Sequence, residues 1–294
     1  MNTFIQLIIS GVTAGMIYGL VAIGIIMIYK STKVFNLAQG SILLLGAFIF
    51  YAYLVQLSFP FPLALLATLA TSVLLGMAVE RFTQRPLIGQ PIHALVMVTV
   101  ALMALLEGLV YVIWGTSPVG FPEFIPSLNL RIAGFSISLA QILTFVITLV
   151  LIAVLSLLFN RTRWGLAMRA TAEDHQLAQS SGVSVKGVFS YSWALCFLVA
   201  VIGGIFLSNQ VGLNTGLSVI GLKVLSVVIL GGLESIPGAI LGGLIIGLFE
   251  SLAGGYIDPY VGGGIKEVAP FIAMMIILLI RPYGLFGYEE IERV

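Results

Sequence analysis

The chain has 294 residues, 60% of them hydrophobic and only 9% charged, with a mean hydropathy of +1.14 and a formal net charge of +1 at pH 7. A soluble domain carries about 25% charged residues, so this composition excludes a surface solvated mainly by water and points to a lipid-embedded fold. The even charge balance excludes a nucleic-acid binder, which needs a concentrated basic face, and the single cysteine, Cys196, excludes an intrachain disulfide.

Apolar runs of about 20 residues predict membrane helices. They fall over residues 4–28, 41–56, 62–79, 94–114, 139–159, 189–208, 217–233, 238–252 and 268–280. The expectation is an all-α integral membrane protein, a polytopic bundle of about 8–10 spans. The last three runs are the weakest: 268–280 offers only about 13 uncharged residues, roughly 20 Å of helix. Broken or re-entrant segments are expected there. The first run has no basic residue before it and no clear cleavage site, which predicts an uncleaved span. Within it Gly11, Gly15 and Gly19 recur every fourth residue, as do Gly238 with Gly242 and Gly243 with Gly247. Such stripes let a neighbouring backbone approach closely, so these glycines are helix-packing candidates.

The stretch "KVFNLAQGSILLLGAF" places Asn36, Gln39 and Ser41 at the mouth of the second span, with Gly40 permitting a break. An unpaired amide is costly in lipid, so these side chains face either protein or a water-filled path. A helix cap from Asn36 or Ser41 and a lining role are compatible readings. Glu107, Lys223 and Glu250 are ionisable residues in or near apolar runs, which makes each a functional candidate. Glu107 and Glu250 lie toward the outer ends of their runs, where a carboxylate reaches headgroups at little cost. Asn36, Gln39, Ser41, Glu107 and Lys223 form the candidate translocation path.

Charge in the loops predicts the orientation. One set of alternate loops holds Lys30, Lys33, Arg81, Arg85, Arg161, Arg163, Arg169, Lys186, Arg281 and Arg293, and the other holds Arg131, Lys223 and Lys266, together all 13 basic residues. Basic residues collect on the cytoplasmic side, which puts the N-terminus outside and the C-terminus inside. His93 and His175 have no ligand-spaced partners, so no metal site is expected. No G-x-x-x-x-G-K-[ST] loop occurs, so ATP and Mg are expected on other subunits, with no cofactor and no catalytic residue on this chain.

The island "RTRWGLAMRATAEDHQLAQSSGVS" stands between two apolar runs on the cytoplasmic side. Thr171 with Asp174 resembles a capping box, Glu173 and Asp174 put negative charge at a helix start, and Gly182 suits a helix end. A short helix over 172–181 is predicted. Its apolar set of Ala172, Leu177 and Ala178 is too thin for a span or for a lipid surface; docking into another protein is its best use, with an ordinary solvated loop the alternative reading.

Five segments in order, "FNLAQGSILLLGAF", "ERFTQRPLIGQP", the island, "GLKVLSVVILGGLESIPGAILGGLIIG" and "LLIRPYGLFG", resemble the motifs of bacterial branched-chain amino acid ABC importer permeases of the LivH type. The likeness runs from Gly11 to Gly287. It implies a type II ABC importer membrane domain: one transmembrane permease domain over 1–294, with a cytoplasmic coupling loop at 160–188, in the bacterial inner membrane. The implied partners are a second related permease, forming a heterodimer, two cytoplasmic ATP-binding subunits and a periplasmic substrate-binding protein. The family's coupling positions fall on Gly165, Arg169, Ala170, Ala178 and Gly182. Arg163, Glu173 and Asp174 complete the candidate coupling set. His175, Gln176, Glu234 and Glu107 depart from the usual family residues, which bears on substrate choice. The implied function is ATP-driven import of branched-chain or related amino acids by alternating access. Urea or short amides as substrate, and an ion-coupled secondary transporter using Glu107 and Lys223, are the competing readings.

Overall fold

The computed structural model describes residues 2–121, 128–132 and 135–287; Arg293 and the rest of the tail after Gly287 lie outside them, as does part of the 115–138 loop. In chain order the elements are α1 (Asn2–Thr32), α2 (Gln39–Tyr51), α3 (Phe61–Val79), α4 (Ile92–Trp114), β1 (Asn129–Ile132) and β2 (Phe135–Ser138). They continue with α5 (Leu139–Arg161), α6 (Arg163–Glu173), α7 (His175–Ser180), α8 (Val185–Val211) and α9 (Ile220–Gly231), and end with α10 (Ile236–Tyr256), α11 (Asp258–Val261) and α12 (Ile265–Ile280). Single π-helical turns, Ala52–Gln56 and Glu80–Gln84, prolong α2 and α3.

Among the described residues, seven helices are long and apolar enough to cross a membrane. Each of the nine predicted runs lies on a helix. Two of the three weak ones remain short: α9 has 12 residues behind the 3-10 turn Thr215–Val219, and α12 has 16 with Pro270 inside. The third, α10, is a full span of 21 residues, because Ser235 caps Gly238 N–H at 3.0 Å and Pro237 suits the first turn.

The chain divides into two compact units, 1–26 with 125–152 and 223–294, and 27–124 with 153–222. In the first, the glycine stripe of α1 meets α10 in antiparallel order. A Cβ on Gly11 would stand 2.9 Å from Gly247 O, on Gly15 2.5 Å from Gly243 O, and on Gly19 3.2 Å from Ala239 O. Lipid tails are as apolar as leucine, so this backbone-to-backbone fit, rather than transfer out of water, holds the pair. Gly242 approaches Val227 O in the same way, at 2.7 Å, and Gly238 approaches Gly231. The closing motif folds back on α9: Leu285 N–H donates to Leu230 O at 2.8 Å and Phe286 N–H to Gly231 O at 3.1 Å. These are last-turn carbonyls that a helix cannot satisfy by itself. The β1–β2 hairpin pairs Asn129 with Ser138 and Ile132 with Phe135.

In the second unit, α8 is the centre, packed by α2 and α3. Gly76 of α3 brings its backbone onto α8, where a Cβ would stand 2.8 Å from Trp193 O. Phe50, Ala64, Val201 and Ile205 form a buried cluster among these helices. The outward faces of α3 and α4 are apolar and open, with Leu66, Leu74, Met97 and Val112 exposed, as befits walls that meet lipid.

Candidate coupling surface and buried polar clusters

The island is ordered by successive side-chain caps. Thr162 accepts from Gly165 N–H at 3.2 Å and starts α6. Asp174 accepts from Gln176 N–H at 2.7 Å and Leu177 N–H at 2.9 Å and starts α7. Ser184 accepts from Gly187 N–H at 3.3 Å and starts α8. The single helix predicted over 172–181 is therefore two helices broken at Asp174, whose φ of −154° is extended. Thr171 is not the cap: it lies buried within α6, its hydroxyl bonded to Ala167 O at 2.8 Å. The backbone donors of Leu177 and Gln176 hold the exposed Asp174 carboxyl below its ordinary range.

α7 ends at Gly182, φ +84°, with Val183 N–H on Ala178 O and Gly182 N–H on Gln179 O, both at 3.0 Å. This double bond pattern satisfies the final carbonyls and requires a left-handed residue, which only glycine adopts without strain.

The predicted coupling residues divide into two groups. Gly165 packs against the Phe159 backbone where a Cβ does not fit, Arg169 donates to Phe159 O and stacks on its ring at 5.1 Å, and Ala178 is buried. Ala170 is half-buried. These residues brace the island against α5 and α8. Arg163, Glu173, Asp174 and Gly182 are exposed. Beside them Leu177 stands 66% exposed, and Gln176 and Gln179 share its open side. A groove of about 740 Å³ runs next to α7, lined by Ile88 and Gly89 on one side and by Asp174, His175, Gln176 and Gln179 on the other.

The polar residues in the apolar region form separate clusters. Asn36 and Gln39 are fully buried in the second unit. Asn36 Nδ2 donates to Gln39 Oε1 at 3.1 Å, the Cys196 thiol donates to the same oxygen at 2.9 Å, and Asn36 Oδ1 accepts from Ala38 N–H at 3.1 Å. Asn36 thus shapes the turn before α2, and the residue flanking that helix, Ala38, makes no side-chain cap. Thr99 closes the same turn from α4, donating to Phe35 O at 3.2 Å and accepting from Leu37 N–H at 3.3 Å. Gly40 lies directly against Ser218 and Gly221, with no room for a Cβ. Ser41 donates to the half-buried Glu107 at 3.1 Å.

Lys223 belongs to the first unit and has its own partners there. Its ammonium meets Glu250 Oε1 at 2.9 Å and Glu267 Oε2 at 2.7 Å, while the Tyr18 hydroxyl donates to Glu250 Oε2 at 2.8 Å. Glu250 does not reach out to headgroups as expected: its side chain is 6% exposed and that of Lys223 is 4%, against 60% for Glu267. Burial next to an ammonium is what keeps Glu250 inside. Removing Lys223 leaves the buried Glu250 carboxylate uncompensated at about 3–5 kcal/mol, whereas removing Glu250 leaves Lys223 with Glu267 alone, an exposed arm worth about 0–1 kcal/mol.

The sequence model for the permease component of branched-chain amino acid transport systems matches residues 7–280. The chain belongs to this family. It is 30% identical over 310 residues to BraD of Pseudomonas aeruginosa, a high-affinity branched-chain amino acid transport system permease protein, covering 99% of this chain and 98% of that one. It is 32% identical over 285 residues to a probable branched-chain amino acid transport permease, LivH, of Methanocaldococcus jannaschii, covering 92% and 88%. Among solved structures, a chain of PsaBC from Streptococcus pneumoniae, determined in complex with Fab, is similar with a TM-score of 0.53 over 96% of this chain and 94% of that one, at 15% identity, a likeness of fold. The family and the multi-pass helical membrane fold expected from the motifs are those found.

Some features of this permease escape sequence reading. Tyr18 reaches Glu250 and Glu267 reaches Lys223 from sequence positions far from them, and no spacing signals either contact. Leu177 is legible as apolar, but only the turn of α7 decides that it faces out while its neighbour Ala178 faces in.

Proposed function

We propose that this permease is one membrane subunit of an ATP-driven importer for branched-chain or related amino acids, working by alternating access. It pairs with a second, related permease, two cytoplasmic ATP-binding subunits that carry ATP and Mg, and a periplasmic substrate-binding protein, in a bacterial inner membrane. The N-terminus is outside and the C-terminus inside, following the bias of basic loops. The relatives' substrates support the amino-acid reading.

The observation that carries the coupling role is the order of α7. A solvated connection has no need of a cap at one end, a left-handed glycine stop at the other and an exposed leucine between them. Of the five residues that the family motif marks, Gly165, Arg169, Ala170 and Ala178 transmit rather than touch, tying the island to α5 and α8 so that force on α7 reaches the spans, while the exposed Gly182 ends α7 itself. Each state of the cycle is stabilised by contacts that differ at this surface.

The test is Leu177→Asp in vesicles carrying the whole complex. Ligand-stimulated ATP hydrolysis and uptake should fall at least ten-fold, with normal amounts of permease in the membrane, and crosslinks from Gln176→Cys to the ATPase should weaken. Normal uptake, with no crosslink from 174–182 to the ATPase, would sink the docking reading. Uptake driven by an ion gradient without ATPase subunits would replace the importer reading with secondary transport.

A further inference from the structure

The Lys223 cluster carries more negative charge than it needs. Glu250 alone neutralises the ammonium, and its second oxygen is occupied by Tyr18. Glu267 adds another carboxylate from the first turn of α12, where helix partial charge favours it, and its side chain is largely in the open while both partners of the inner pair are buried. The two arms on one ammonium are therefore unequal. The inner arm is held by desolvation, since neither Lys223 nor Glu250 reaches water without the other. The outer arm breaks by rotation of an exposed side chain into solvent.

The backbone leading to Glu267 turns through three successive glycines, with Gly262 and Gly263 N–H donating to Asp258 O at 3.0 and 3.1 Å. Gly262, Gly263 and Gly264 have φ of +85°, +102° and +94°, and a Cβ on any of them would meet nothing within 4 Å. The first turn of α12 is fixed by Asp258, which accepts from Ile265 N–H at 2.7 Å and Lys266 N–H at 3.3 Å, and by the Glu267 arm.

We propose that Glu267 is a releasable arm on Lys223: it leaves the ammonium and returns in each transport cycle, while Lys223, Glu250 and Tyr18 stay joined. Glu267 is a positioning residue. It acts through Lys223 to set how readily the start of α12 parts from α9, and the transport part of this inference rests on the importer reading above.

The test compares Glu267→Gln, Glu267→Asp and Glu250→Gln in the complete reconstituted complex. Three quantities are read: ATP-driven uptake, the thermal midpoint, and labelling of Ile265→Cys by a water-soluble maleimide. Glu267→Gln should change the maximal uptake rate at least three-fold with KM within two-fold of wild type. Its thermal midpoint should be unchanged, and labelling at 265 should rise at least three-fold. Glu267→Asp should move rate and labelling back toward wild type, and Glu250→Gln should lower the midpoint and the amount of complex. Wild-type rate and labelling in Glu267→Gln would overturn the proposal. So would a midpoint loss matching Glu250→Gln, which makes Glu267 a fixed anchor, or a KM shift at constant rate, which makes it a substrate ligand. Absence of ATP-driven uptake by wild type would instead defeat the importer reading, and the labelling comparison would still decide whether the arm releases.

Discussion

Two buried polar clusters, one in each compact unit, solve the same problem differently. Around Asn36, Gln39 and Cys196 every polar group is neutral, the side chains are fully buried, and one oxygen of Gln39 accepts from both neighbours. Around Lys223 the groups are charged, two are buried and the third carboxylate stays in the open. Neutral amides are satisfied by a short set of hydrogen bonds and close completely. Charges need both a counter-ion and partial solvation, so the Lys223 cluster keeps an open side. The difference separates a polar group that fixes a turn, before α2, from one positioned to exchange partners.

The comparison breaks first at Glu250. Glu250→Leu leaves the buried Lys223 with only the exposed Glu267 carboxylate and the Tyr18 hydroxyl without its acceptor, and should destabilise the permease by up to about 3–5 kcal/mol, read as a lowered thermal midpoint in detergent. The double variant Lys223→Met with Glu250→Leu should recover most of that loss, because no buried charge remains unpaired. Recovery of stability without recovery of uptake would separate the cluster's structural part from its use in transport.

A smaller effect is expected in the neutral cluster. Gln39→Leu removes the acceptor shared by Asn36 and Cys196 and leaves a buried amide donor short of a partner, at about 1–3 kcal/mol. Thermal midpoints of the two single variants, measured side by side, should rank Glu250→Leu below Gln39→Leu. The reverse order would mean that the charged cluster is less desolvated than its burial indicates.

The smallest effect concerns a carboxylate at the surface. The Asp174 carboxyl is held below its ordinary range by the N–H groups of Leu177 and Gln176, so its ionised form stabilises α7. That contribution is complete above the unfolded value of about 3.9 and is lost as pH falls through the lower folded value. Hydrogen-exchange protection at Gln176 and Leu177, corrected for intrinsic rates, should therefore fall at acid pH. Asp174→Asn should keep the cap and abolish this pH dependence, since its amide oxygen accepts the same bonds uncharged.

Much of this permease was legible in its sequence, for reasons of physical range. Apolar run length reports the thickness of the lipid core, so all nine runs land on helices. A fourth-residue glycine spacing reports one helix face, so Gly11, Gly15 and Gly19 were readable as a packing stripe before their partners Gly247, Gly243 and Ala239 were known. A helix end needing a left-handed residue writes itself as Gly182. Cap choice was less legible: Thr171 and Asp174 both suit the role by type, and burial of Thr171 inside α6 decided for Asp174. The polar clusters were decided by tertiary structure alone. Glu250 reads as a snorkelling residue near the end of its run until Lys223, 27 positions away, and Tyr18, 232 positions away, prove to surround it. Sequence determines what a short stretch does with its own backbone and with the solvent around it, because those forces act within a few residues. The partners of a buried charge are chosen by packing between distant helices, which leaves no periodic mark on the chain.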